Sequence, residues 1–309
     1  MPVLLNDGQI KEPVAATIGV FDGVHRGHRF VLSQLVAKAR ERGLNTVAIT
    51  FRRHPLCVVR KDFRQQLLMG LDDRLAAIES MGIDYVVALD FTEDMSRMTA
   101  GQFLDFIHRH YSVRMLLTGY DNKFGSSRSD TFEDYVKYGK EVGVEVVRCN
   151  EFNPGGVKIS SSEIRSRLAV GDVRSAAEML GRRYRLSGTV VGGLENGRKI
   201  GFPTANISVG QDLAVPRNGV YAVVVYLPGG MVEQGMLNIG NRPTLGDNGC
   251  RSIEVNIFGF SGNLYGQQIA VEFVDRLRDE RKMGSFDELK AQLAADREKT
   301  KEILSKSSI

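Results

Sequence analysis

Cysteine is scarce in this chain: Cys57, Cys149 and Cys250 are the only three in 309 residues, far apart and odd in number. No C-x-x-C occurs, so neither a zinc ribbon nor a disulfide framework is expected, and the usage suits the cytoplasm. Histidine is nearly as rare, at five, and His108 and His110 stand two apart in a helical pattern, where they point in different directions and cannot share a metal. No run of about 18 apolar residues is present, which excludes a membrane-spanning helix. Met1 to Ile10 carries Asn6 and Asp7 and no basic segment, so no secretory signal is read there. Neither sign of charge dominates. The net charge of +4 suits a protein that handles anionic small molecules and calls for no nucleic acid; an ordinary soluble surface accounts for it equally well.

What is present is globular: 42% hydrophobic residues, 25% charged, and a length that favours two domains over one. The first half alternates strands (Val14 to Phe21, Thr46 to Phe51, Asp84 to Phe91, Val113 to Gly119, Val144 to Arg148) with helices (Arg29 to Arg42, about Gly101 to His110, Thr131 to Glu141). That order predicts a parallel sheet covered on both faces. Two short helices follow, from Ser160 to about Val170 and from Asp172 to Leu180, the first opened by a capping box of Ser160 and Glu163. After Gly181 the pattern changes to consecutive strands: Arg185 to Val191, Gly219 to Leu227, Met231 to Ile239, Arg251 to Phe258 and Gln268 to Val274. Pro228-Gly-Gly230 reads as a hairpin turn, and strands without intervening helices predict an antiparallel sheet or barrel. A last helix starts at a second capping box, Ser285 and Glu288, with Leu289, Leu293 and Ile303 in its apolar stripe. The expected domains are 1–182 and 183–309.

The segment Gly19-Val-Phe-Asp-Gly-Val-His-Arg-Gly-His28 joins the first strand to the first helix. Ligands of open parallel sheets bind at the carboxyl ends of strands, and a helix N-terminus there suits phosphate. Gly23 and Gly27 let the backbone come close, while His25 and His28 share one face of the first helical turn. Imidazoles donate to phosphoryl oxygens, and a charged imidazolium would offset charge on a pyrophosphate leaving group. Taken alone, two histidines in a surface loop would read the same way. The whole string resembles the nucleotidylyltransferase signature, and in particular that of bifunctional riboflavin kinases and FMN adenylyltransferases. Thr50-Phe-Arg-Arg-His-Pro55, Thr118-Gly-Tyr-Asp-Asn-Lys-Phe-Gly125 and Ile159-Ser-Ser-Ser-Glu-Ile-Arg165 resemble three further segments of that family.

The resemblance implies an α/β nucleotidylyltransferase (Rossmann-like) domain with ATP phosphates at Gly19, Phe21, Gly23, Gly27, Ser161, Ser162 and Arg165, His25 and His28 catalytic, and flavin near His54, Asp121 and Phe124. Helix capping alone would explain Ser160 and Glu163 but not Arg165, and on position alone His54 reads equally as a turn residue. The family usually has Asn at Val20, Glu-Pro at Arg52-Arg53 and an aromatic residue at Asn122.

The second constellation is Gly197-Arg-Lys-Ile-Gly-Phe-Pro-Thr-Ala-Asn206. By composition it is either a phosphate-covering loop or an ordinary Gly-Pro connection. As a string it resembles the riboflavin kinase signature. That implies an antiparallel β-barrel kinase domain with a C-terminal helix, ATP phosphates at Gly197, Lys199 and Gly201, and Mg2+ at Thr204 and Asn206. Strand alternation puts Glu254 and Asn256 on the face opposite Ile253, Val255 and Ile257, and a solvent-facing carboxylate would satisfy that pattern too. The resemblance makes Glu254 the general base and places Arg278 near substrate; it also notes that Asn256 stands where His is usual. The expectation is flavin cofactor synthesis: riboflavin to FMN, then FMN to FAD, with riboflavin, FMN, ATP and Mg2+ as small-molecule partners and no nucleic acid or membrane. Two alternatives are a riboflavin kinase with a degenerate first domain and a non-catalytic flavin or nucleotide binder.

Overall fold

The computed structural model describes the chain except residues 1–2, 6–7, 61, 63–65, 121–122, 128, 157, 194–196, 198–200, 242–250, 282 and 308–309 and the side chains of residues 3–5. Asp121, Asn122, Lys199 and Cys250 therefore lie outside the described residues. The chain forms two compact units: Met1–Gln65 with Gly70–Ile159, and Gln66–Met69 with Ser160–Ile309.

The first unit is built on six parallel strands in the order β1-β4-β3-β2-β5-β6. They are β1 (Val3–Leu5), β2 (Val14–Ile18), β3 (Asn45–Phe51), β4 (Tyr85–Leu89), β5 (Val113–Thr118) and β6 (Glu145–Arg148). β2 and β3 are buried almost throughout, so they read as continuous apolar runs rather than alternating ones. Helices α1 (Arg26–Glu41), α2 (Leu56–Val59), α3 (Leu71–Glu79), α4 (Glu93–Arg97), α5 (Ala100–Tyr111) and α6 (Phe132–Val142) connect them. α5 and α6 start at full capping boxes, Thr99 with Gln102 and Thr131 with Asp134. The order turns at β2: β3 and β4 lie on one side of it and β5 and β6 on the other. The carboxyl ends of β2 and β5 thus flank the crevice that such a reversal creates.

The second unit opens with α7 (Ser161–Val170) and α8 (Val173–Leu180) and continues as a closed antiparallel barrel, β10-β11-β8-β7-β12-β9. Its strands are β7 (Tyr184–Val191), β8 (Ala205–Val209), β9 (Gly219–Tyr226), β10 (Val232–Asn241), β11 (Arg251–Ile257) and β12 (Gln268–Arg278). A short turn at Pro228–Gly230, with Gly229 and Gly230 at positive φ, joins β9 to β10 as the sequence suggests. Helix α9 (Phe286–Lys306) packs over β9, β10 and β12, where Leu304 meets Val220, Ala222, Val224 and Leu277.

The structure departs from the sequence reading at five points. The 205–209 segment is a strand, not part of a loop, because its backbone finds partners on both sides in β7 and β11. The 71–79 segment is a helix that the sequence reading passed over, since its apolar face is short and interrupted by Arg74. Ser160 does cap α7 by accepting the Glu163 amide, but the Glu163 carboxylate turns to Arg167, 2.8 Å away, instead of closing the box. Likewise Ser285 caps α9, while Glu288 accepts from the Gly284 amide at 2.8 Å and pairs with Arg281. In both cases a nearby cation or amide outcompetes the cap's own backbone. Helices α7 and α8, grouped by sequence with the first half, pack with the barrel.

Candidate active sites

In the first unit, β2 ends at Ile18 and the chain makes a tight, conformationally costly turn before α1. Phe21, Gly23 and Val24 all have positive φ (50°, 82° and 38°), a region that a β-branched residue such as Val24 rarely enters. Such strain persists only where surroundings over-determine it, and here they do. The Val20 carbonyl accepts from both Thr50 Oγ1 (3.1 Å) and the Arg74 guanidinium (3.0 Å). Arg74, from α3, is only 2% exposed and also donates to the Phe51 carbonyl at 2.5 Å. Its Nε has no partner. Burial lowers its pKa from the ordinary arginine value and Asp22, itself buried, opposes that shift. Arg74 is the functional residue that sequence reasoning missed; the one available signal was an arginine on the apolar face of a short helix.

His25 caps α1: its Nδ1 accepts from the His28 amide at 3.3 Å. The rings of His25 and His28 stack 3.6 Å apart, and Phe21 meets His28 edge-on. Among the described residues His28 Nδ1 is buried without a hydrogen-bond partner. Burial first, then the neighbouring His25 and Arg74, hold the His28 pKa well below the usual histidine range. Burial thus favours the neutral form of His28, and the buried cation beside it is Arg74. A side chain on Gly27 would lie 3.2 Å from the His25 ring, so glycine lets the stack form.

Beside this turn lies a cavity of about 240 Å³ lined mainly by apolar groups, including Gly19, Phe51, Pro55, Phe91, Met98 and Phe124. Phe124 stacks on Tyr135, whose hydroxyl donates to the Phe124 carbonyl. The structure thus brings Gly19, Phe21, Gly23, Gly27, His25, His28 and Phe124 into one unit at the crevice. His54 accepts the Leu56 amide through Nδ1 and opens α2. Arg52 pairs with Asp90 at 3.4 Å, so the charge that departs from the family pattern is held on the surface. Ser161, Ser162 and Arg165 lie in the first turn of α7 in the second unit, with Arg165 donating to Ser162 Oγ at 3.2 Å.

In the barrel, strand register assembles the second site. Asn206 pairs with Glu254, Glu254 with Asn238, Asn238 with Val220 and Val220 with Arg278. Residues directly opposite each other share a face, so one row crosses β8, β11, β10, β9 and β12 on the side covered by α9. Glu254 is half-buried and has an amide side chain on either flank. A side chain on Gly193 would strike the Asn206 amide, and one on Gly240 would strike Glu280 and crowd the Asn238 amide at 3.2 Å. Arg278 is held by a two-pronged bond to Asp296 of α9 (3.0 and 2.7 Å), and Asp296 is 3% exposed. That contact ties the helix to the row. Thr204 is exposed just before β8 and, with Pro203, Val190, Val255 and Tyr265, lines a cavity of about 660 Å³. The Phe202 amide donates to the Gly197 carbonyl at 2.8 Å, and Gly201 has positive φ.

Asn206, Thr204 and Glu254 offer hard oxygen donors, neutral and anionic, of the kind Mg2+ takes beside phosphate. Among the described residues no cluster of three or more His, Cys, Asp or Glu could hold a metal by itself.

A switch-point crevice with stacked imidazoles and a barrel with a flanked carboxylate define a two-site nucleotide-handling transferase. Residues 7–163 match the family model for FAD synthetase and residues 180–304 that for riboflavin kinase. The bifunctional riboflavin kinase/FMN adenylyltransferase of Escherichia coli K12 is 38% identical over 288 residues, 93% of this chain and 91% of that one. Its namesake from Bacillus subtilis is 36% identical over 301 residues, 96% and 93% of the two chains. A Streptococcus pneumoniae crystal structure described as a macrolide-efflux protein superposes with a TM-score of 0.89 at 29% identity, covering 97% of this chain and 98% of that one. Among the described residues of the present chain no helix is long and apolar enough to cross a membrane. The chain belongs to the bifunctional riboflavin kinase/FMN adenylyltransferase family.

Proposed function

We propose that the two sites carry consecutive reactions on one flavin, with residues 183–309 making FMN and residues 1–182 consuming it. The chain phosphorylates riboflavin to FMN with ATP and adenylylates FMN to FAD with a second ATP.

In the kinase half Glu254 accepts the proton of the ribityl 5′-hydroxyl as that oxygen attacks the γ-phosphorus, and ADP leaves. An alcohol needs such a base, and the flanking Asn206 and Asn238 amides orient the carboxylate. Thr204 and Asn206 would hold Mg2+, which supplies charge neutralisation on the phosphates. Gly197, Lys199 and Gly201 cover the phosphates, the cavity beside Thr204 takes the ATP base, and Arg278 steadies the flavin side of the row through α9.

In the adenylyltransferase half the nucleophile is the FMN phosphate, already ionised at neutral pH because its second pKa is about 6. It attacks the α-phosphorus of ATP and pyrophosphate leaves, so the site's task is alignment and charge stabilisation. His28 and His25 donate to the phosphates above the α1 N-terminus, and Gly19, Phe21, Gly23 and Gly27 bring the backbone against them. Ser161, Ser162 and Arg165 belong to this chemistry although α7 packs with the barrel. The flavin ring takes the cavity lined by Phe124 and Pro55, the residue after His54. The free thiols Cys57 and Cys149 suit the cytoplasm, where we place the protein.

The observation that carries this reading is the pairing of two dissimilar sites: stacked imidazoles at a helix N-terminus in one unit and a flanked carboxylate in the other. Product chromatography tests it. His28→Ala should make FMN but no FAD from riboflavin, and Glu254→Gln should convert supplied FMN to FAD but make no FMN. Loss of both activities in either variant, despite an intact fold, would defeat the separation.

A further inference from the structure

Two residues of the loop that leads into Thr204 are gripped from two different elements. Arg297 of α9 lies over the Phe202 ring, its guanidinium carbon 4.3 Å from the ring centroid, and the Phe258 ring stands 5.8 Å away on another side. Phe202 is 7% exposed, and among the described residues Arg297 Nε is buried with no hydrogen-bond partner, so the rings are what hold the cation. Asn256 of β11, 3% exposed, donates from Nδ2 to the Pro203 carbonyl at 2.7 Å, while its Oδ1 is buried without a partner. A single directed bond is all that offsets burying that amide. Thr204 follows Pro203 directly, and Asn206 sits two residues further, paired with Glu254.

From this the geometry assigns Arg297 and Asn256 as positioning residues of the kinase: a two-point clamp on Phe202-Pro203 that presets Thr204 and Asn206 for Mg-ATP. The assignment rests on the proposed roles of Thr204, Asn206 and Glu254. It also gives α9 a function beyond covering the barrel. The helix carries one residue that fastens the nucleotide loop and another, Asp296, that fastens Arg278, and the two are adjacent in sequence.

The test is steady-state FMN formation with Mg-ATP and riboflavin varied separately. Arg297→Met keeps the length and loses the cation; Asn256→Leu keeps the volume and loses the donor. Each should raise the KM for Mg-ATP about tenfold and leave the KM for riboflavin within about twofold, the size expected for losing one such contact. Arg297→Lys and Asn256→His, which restore a cation over the ring and an N–H toward Pro203, should recover most of the loss. The double variant should fall short of the product of the singles, because both act on one loop. Conversion of supplied FMN to FAD should be unchanged in all of them. If Asn256→Leu fails to fold, Arg297→Met and its lysine rescue decide alone. An unchanged Mg-ATP KM in Arg297→Met, a parallel rise for both substrates, or failure of the lysine variant to rescue would overturn the clamp. Should Glu254→Gln keep its kinase rate, the underlying site assignment fails instead, which separates the two outcomes.

Discussion

Arg74→Met is the most informative perturbation of the adenylyltransferase half. Arg74 is 2% exposed and donates to the carbonyls of Val20 and Phe51. Methionine fills similar space and makes neither bond. Val20 keeps its second donor, Thr50, but the Phe51 carbonyl loses Arg74, and an unsatisfied buried carbonyl costs about 1–3 kcal/mol. Removing a buried charge whose Nε has no partner returns part of that cost, so the net stability loss should be about 1–2 kcal/mol. The effect on chemistry should be larger. The Phe21–Val24 turn holds backbone strain worth ~1–3 kcal/mol per residue, and Arg74 pins the Val20 carbonyl that leads into it. Releasing the pin lets the turn relax and the His25–His28 stack drift, and the standing positive charge goes as well. Loss of about 2–3 kcal/mol of transition-state stabilisation is a fall of roughly 30- to 150-fold in FAD formation. The assay is FMN-to-FAD conversion by chromatography, with riboflavin phosphorylation as internal control and a thermal melt for the fold. A variant that melts a few degrees lower yet makes FAD at the wild-type rate would refute the role given to Arg74.

Four further outcomes follow from the same coordinates. His28 has a depressed pKa when folded, so below its unfolded value of about 6.5 the unfolded chain binds the extra proton and stability falls as pH drops; His28→Asn should flatten that dependence in melts between pH 5 and 7. Gly193→Ala, whose methyl would meet the Asn206 amide, should slow the kinase about tenfold or more and spare adenylylation, measured with riboflavin and with FMN as separate substrates. Asp296→Asn weakens the two-pronged bond to Arg278 and should cost about 1–3 kcal/mol, read as a lower melting temperature of the barrel. Arg52→Glu should pair no longer with Asp90 and leave both activities within a few-fold, because the cavity beside it is lined by other groups.

Much of this was legible in the sequence. The β-strand and helix alternation up to Arg148 fixed the parallel sheet, since long apolar strands between capped helices admit few other arrangements. The glycines and histidines of 19–28 and the 197–206 string announced their sites because chemistry demands those residue types close together. What stayed hidden came from packing at a distance. Arg74 lies in a short helix whose pattern is weak, and its role depends on two carbonyls 54 and 23 residues away. β8 was hidden because five residues after a proline, flanked by glycines, look like a loop until β7 and β11 supply partners. The row from Asn206 to Arg278 exists only in the register, which no local spacing reveals. The downward pull on the His28 pKa follows from burial, which the sequence could not disclose.

The closure of the six-stranded ring bears on how Glu254, the proposed general base, keeps its address. In an open sheet a strand can slide by one residue, and every side chain then swaps faces. Here each strand is bonded on both flanks, so a slip of β11 would have to be accepted by β8 and β10 and passed around the whole circuit. Glu254 is therefore locked outward by topology as much as by its own contacts, and the loops that meet substrate are free to vary without unseating it.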